Sequence, residues 1–94
     1  MSKFPKALSR DEAETLGLNT LQFLAGDPAR LGRFLALTGI GPAELKASAG
    51  EPHLLAAVLD HLLGDESLLL VFSAEYRVRP ELIVLAHRKL ADQT

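Results

Sequence analysis

Between residues 13 and 24 the apolar positions Ala13, Leu16, Leu21, Phe23 and Leu24 fall on one stripe of a helix, with Asn19 and Gln22 opposite and Leu18 at the shoulder. Recurrence at three- and four-residue intervals marks an amphipathic helix. Ser9 followed by Glu12 is spaced as a capping box, and Asp11, Glu12 and Glu14 put negative charge where the helix dipole favours it. A first helix is predicted from Arg10 to Ala25. The next three residues, Gly26, Asp27 and Pro28, read as a tight elbow. Glycine would take the left-handed position past the helix end, aspartate would cap the next helix, and proline would occupy its first turn.

The second helix, Pro28 to Thr38, turns Leu31, Phe34, Leu35 and Thr38 inward, keeps Arg30 and Arg33 on the other flank, and ends at Gly39. A short third helix starts at Pro42 and runs to about Ala49, where "AGEP" breaks the pattern. The fourth, Pro52 to Leu63, buries Leu54, Leu55, Val58, Leu59, Leu62 and Leu63. Gly64 and Asp65 repeat the elbow, a fifth helix spans Glu66 to Tyr76, and Pro80 opens a sixth that ends near Ala91. Gly17 and Gly32 lie inside helices, where close packing is expected. The fold class is therefore all-α, a compact bundle of about six short helices. Residues 1 to 8, broken by Pro5, read as a flexible lead-in, and residues 9 to 94 as one helical domain.

The elbows lie 38 residues apart, and that shift aligns more than the elbows. Leu16 falls on Leu54, Leu21 on Leu59, Leu24 on Leu62, Gly26 on Gly64, Asp27 on Asp65, Leu31 on Leu69, Phe34 on Phe72, Ala36 on Ala74 and Pro42 on Pro80. Composition alone would give roughly two or three such identities. Two related three-helix halves, 9 to 50 and 51 to 94, are one reading, and shared helical periodicity without duplication is the other.

An apolar share of 48% with 23% charged residues suits a globular chain, and its dominance by Leu and Ala favours helix over strand. A net charge of -2 supplies no global field for nucleic acid or an anionic membrane. Without cysteine, thiolate metal sites and Cys nucleophiles are excluded. No apolar run reaches the length of a membrane span or a signal peptide, so no membrane partner and a cytoplasmic location are expected.

Catalytic chemistry finds little footing. His53 and His61 are eight residues apart, about 12 Å along a helix, too far to chelate one ion from a straight helix. With Ala57 and Asp60 they are expected on a solvated face opposite the leucines. His87 sits beside Arg88 and Lys89, where a helix C-terminus favours positive charge. Ser9, Ser48, Ser67 and Ser73 lack a strand-to-helix elbow or a neighbouring base. Asp27 and Asp65 are explained as caps, without a metal. No catalytic, cofactor or metal residues are assigned, and a non-enzymatic protein is expected.

Two binding readings remain. "LLLVFSAEYRVRPELIVLAHRKL", residues 68 to 90, scans as helix, short turn, helix, with Arg77, Arg79, Arg88 and Lys89 as candidate nucleic-acid contacts. Against it, the N-terminal half of the would-be recognition helix reads Glu81, Leu82, Ile83, Val84, a poor set for base edges. The halves supply the stronger reading. Arg30 and Arg33 of the second helix correspond to Leu68 and Val71 of the fifth, so an exterior flank has turned apolar. Either the fifth helix runs through the centre of the bundle, or Leu68 and Val71 form a patch for another chain, a homodimer included. Arginine at either position would then split the dimer without unfolding it.

"FLAGDPARLGRFL" and "LLGDESLLL", within runs that cover nearly everything after the lead-in, resemble the central segments of an alphaproteobacterial family, domain of unknown function 3572. The resemblance implies a compact bacterial protein of the cytoplasm. It carries over no activity and no functional residues.

Overall fold

A computed structural model describes residues 8–92 and gives six helices in chain order: α1 (Arg10–Ala25), α2 (Pro28–Thr38), α3 (Pro42–Ser48), α4 (Pro52–Leu63), α5 (Glu66–Tyr76) and α6 (Pro80–Ala91). The expected all-α class holds, and only α3 stops one residue short of its predicted end. Residues 1–7 of the expected lead-in lie outside the described residues. Leu8 belongs instead to the core, at 6% exposure. It sits just before the cap, where an apolar residue fixes the entry of the chain into a helix.

Local chemistry sets the helix starts. Ser9 Oγ accepts the Glu12 N–H at 3.1 Å while Glu12 Oε1 accepts the Ser9 N–H at 2.9 Å. The Ser9 backbone donor holds the Glu12 carboxyl below its ordinary pKa. Asp27 Oδ1 accepts the N–H groups of Ala29 at 3.0 Å and Arg30 at 3.4 Å, and Asp65 Oδ1 accepts that of Leu68 at 3.1 Å. Each carboxylate satisfies donors that the first helical turn would otherwise leave open.

The glycines of the elbows do not behave as expected. Gly26 (φ −73°) and Gly64 (φ −84°) are right-handed C-caps that close α1 and α4. Their N–H groups bond to Gln22 and Asp60 carbonyls at 3.0 Å, and the next N–H, of Asp27 or Asp65, bonds three residues back at 3.1 Å. Reversal is made by the aspartates, extended at φ −135° and −138°. The left-handed backbone lies elsewhere, at Gly39 (φ 76°) and Arg77 (φ 55°). At Arg77 that conformation costs a side-chain-bearing residue about 1 kcal/mol.

The most extensive helix pairings join α1, α4 and α6, with α2 laid on α1 and α5 on α4. Helix α4 is the centre: Leu54, Leu55, Val58, Leu59 and Leu62 are all buried. Around them close Ala13, Phe23 and Leu24 of α1, Phe34 of α2, Phe72 of α5, and Ile83, Ala86 and Leu90 of α6. Gly17 lets α1 approach α4, since a Cβ there would stand 2.8 Å from Leu55 Cβ. Gly32 has open space around it, contrary to the expected close packing. Thr20, buried in α1, donates its hydroxyl to the Leu16 carbonyl at 2.8 Å and so leaves no unmet donor.

Buried residues from both sequence halves meet in one cluster. Their likeness extends to the elbows and to α1 and α4, and stops at the third helix of each. Helix α6 packs extensively on α1 and α4, whereas α3 has no fully buried residue.

Candidate interaction surface

Helix α5 is anchored by its aromatics. Phe72 and Tyr76, one turn apart, stack at 4.7 Å, and Phe23 of α1 meets them edge-on at 5.3 and 6.1 Å. Offset and edge-on ring pairs add about 0.5–1.5 kcal/mol each beyond the area they bury. Arg30 of α2 lies over the Phe23 ring, 4.4 Å from its centroid, and reaches Asp27 at 3.6 Å. The arginine predicted on a solvated flank thus covers an aromatic ring.

The opposite face of α5 is uncovered. A central position in the bundle was one of two expectations for this helix, but α4 occupies that place and only Phe72 of α5 is fully buried. Leu70 is 54% exposed and Val71 43%. Ser67 and Ala74 are exposed between them on the helical surface, and the exposed carboxylates of Glu66 and Glu75 border the same face, Glu75 one turn beyond Val71. Leu68 turns partly inward onto the core while Val71 points outward. Leu70, which the comparison of halves did not single out, takes the place expected of Leu68. Its counterpart in α2 is Gly32, so no loss of a charge drew notice to it.

At its N-terminal end this face borders a groove of ≈ 560 Å³ between α2, α4 and the second elbow. Arg33 and Leu37 line it from α2, Asp60 and His61 from α4, and Asp65 and Ser67 from the elbow and α5. Leu37 is 66% exposed there. His61 was expected among solvated residues with His53 and Asp60. Instead its ring packs edge-on against Phe34 at 5.3 Å, and Nε2 is buried without a hydrogen-bond partner. Burial holds the His61 pKa below its ordinary value; Arg33 adds to that effect, while Asp65 and Asp60 oppose it. A buried, unpartnered nitrogen is not poised to exchange protons with a molecule in the groove. Periodicity could not show this environment, because Phe34 belongs to another helix.

The basic residues are dispersed. Arg77 caps α5 and Arg79 precedes α6, whereas Arg88 and Lys89 sit near the far end of α6, about 14 Å along its axis from Arg79. The N-terminal half of α6 buries Ile83 and exposes Glu81 and Val84. His87 Nε2 lies 3.7 Å from Asp60 Oδ1, a tie between α6 and α4 whose carboxylate is largely exposed. Among the described residues, no three His, Cys, Asp or Glu side chains are grouped to hold a metal ion. Among the same residues, no helix is long and apolar enough to cross a membrane.

Neither a curated protein nor a solved structure matches the chain. A family model described as "Protein of unknown function (DUF3572)" matches residues 10–93, which takes in every helix from the capping box of α1 to the end of α6. The chain belongs to that family.

Proposed function

We propose that the chain is a non-enzymatic helical interaction module of the bacterial cytoplasm that engages a protein partner across the outward face of α5. The observation that carries this reading is the mismatch between the sequence of α5 and its setting. "ESLLLVFSAEY" is apolar nearly all round, the pattern of a helix covered on every side, yet one side is open. Fully covering a Leu or Val side chain is worth about 1.5–3 kcal/mol. Leu70 and Val71, about half exposed, leave a useful fraction of that for a partner. The aromatic anchor beneath holds the face in place, so docking requires little ordering of the helix.

The test is a comparison of tagged wild type with a Leu70→Glu/Val71→Glu variant, recovered from the native host and weighed as intact complexes. Both substitutions lie on exposed positions of a helix, so the variant should remain folded. Loss from the variant of a protein the wild type retains supports the reading. An identical set of retained proteins contradicts it.

A further inference from the structure

We propose that the chain's own N-terminal segment "KFPK", residues 3–6, docks in a second groove, between α1 and α6, and seats Phe4 there. This groove measures ≈ 360 Å³ and is lined by Leu8, Asp11, Glu12, Thr15 and Leu16 around the start of α1 and by Leu82 of α6. Its floor is aliphatic: Leu16 and Leu82 pack on the core yet are only partly buried. The volume lies in the range that encloses small molecules, so the groove takes one aromatic side chain. The charged side chains that line it, Asp11 and Glu12, are both acidic and exposed. Arg10 nearby is paired with Glu14 at 3.2 Å. Arg79 and Glu81, close to Leu82 in sequence, are not among the lining residues.

Attachment, reach and charge select this occupant. The chain leaves the described residues at Leu8, which is itself part of the groove wall. Four residues separate Leu8 from Phe4, a reach of about 13–14 Å at full extension. The lining residues of α1, Asp11 to Leu16, span about 8 Å of its axis, so each is within reach of Phe4. Lys3 and Lys6 bracket Phe4 and Pro5, and residues 1–7 contain no acidic side chain. A basic, aromatic, basic segment thus meets an acidic rim around an apolar floor. The ring supplies most of the gain, since an aromatic side chain buries roughly 150–250 Å², while exposed rim pairs add little strength but disfavour an acidic occupant. Tethering supplies the rest: a short linker presents the segment at an effective concentration on the order of millimolar. A separate basic peptide has no such advantage. Phe4 also precedes a proline, which restricts its backbone to extended conformations and lowers the cost of ordering it.

The experiment is nuclear magnetic resonance of the full chain with labelled leucine methyls, joined to thermal unfolding of wild type, Phe4→Ala and Lys3→Glu/Lys6→Glu. These substitutions lie outside the helices, so both variants keep the core intact. In the wild type, cross-peaks link the Phe4 ring to methyls of Leu16 and Leu82. Phe4→Ala lowers the melting midpoint by roughly 4–8 °C. At low ionic strength Lys3→Glu/Lys6→Glu loses most of the cross-peak intensity, because two attractions become two repulsions, and added salt narrows its difference from wild type. A wild type without these cross-peaks, with Phe4→Ala melting alongside it, overturns the docking and leaves the groove to another molecule. Cross-peaks seen only between differently labelled copies overturn it too, since the segment then occupies a neighbour's groove. Wild-type intensity in the charge-reversed variant at low salt overturns the complementarity that selects this occupant.

Discussion

Replacing Gly17 with alanine probes the contact on which the core is built. The added Cβ would stand 2.8 Å from Leu55 Cβ and 3.4 Å from two further Leu55 carbons. Carbon atoms prefer about 3.5–4.0 Å, so α1 and α4 must part by on the order of 1 Å or one of them must shift in register. Leu55 cannot relieve this by changing rotamer, because its Cβ is fixed to the α4 backbone. Overpacking of this kind costs about 1–3 kcal/mol. Alanine also gains about 1 kcal/mol over glycine in helix propensity, which must be removed from the comparison. Gly32→Ala provides the correction: it is helical too, but nothing lies within 4 Å of its added Cβ. Urea unfolding followed by circular dichroism should place Gly17→Ala about 1–3 kcal/mol below Gly32→Ala, and Gly32→Ala above wild type. For a domain of this size each 1 kcal/mol moves the midpoint of thermal unfolding by roughly 4–8 °C. Equal stabilities for the two variants would refute the close approach of α1 and α4.

The elbows make an opposing prediction: Gly26→Ala and Gly64→Ala should each stabilise by about 0.4–1 kcal/mol, because the backbone is right-handed and the space sufficient. Gly39→Ala, at φ 76°, should destabilise by about 1 kcal/mol, and the three melting curves together check the assignment. Asp65→Ala should lose about 1 kcal/mol in the same urea assay through the Leu68 N–H cap, whereas Asp65→Asn should lose much less. His61 contributes a pH dependence. With its folded pKa held below the unfolded value near 6.5, the unfolded chain takes up the proton first, so stability is full above about 6.5 and falls as pH drops through the folded value. Asp65, Asp60 and Arg33 face the same ring, so replacing His61 with leucine while keeping those charges should flatten this stretch of the urea-stability profile. An unchanged slope would contradict the assignment to His61.

Much of this fold is written in short-range chemistry. Ser9 with Glu12, Asp27 with Pro28, and Asp65 with Glu66 each fix a helix start within four residues, and those starts are legible from the chain alone. Glycine conformation is less so. A Gly–Asp step suggests a left-handed glycine, but here the extended aspartate turns the chain and the glycine merely ends the helix. Contacts between helices are not legible in one helix's periodicity. Leu55 against Gly17, and Phe34 against His61, depend on how α4 meets α1 and α2. The same limit governs α5. Its apolar run is compatible with a central helix or a docking face, and the choice was made by α4, whose five buried aliphatic residues fill the middle. That displacement left Leu70 and Val71 outside and turned Leu68 toward the core.

Recovery of the tagged wild-type chain from the native host, with its complexes weighed intact, bears most directly on whether a protein partner docks across α5. The expected result is a complex heavier than the tagged chain alone, which Leu70→Glu/Val71→Glu does not form. The same masses and the same retained proteins for wild type and variant would contradict it.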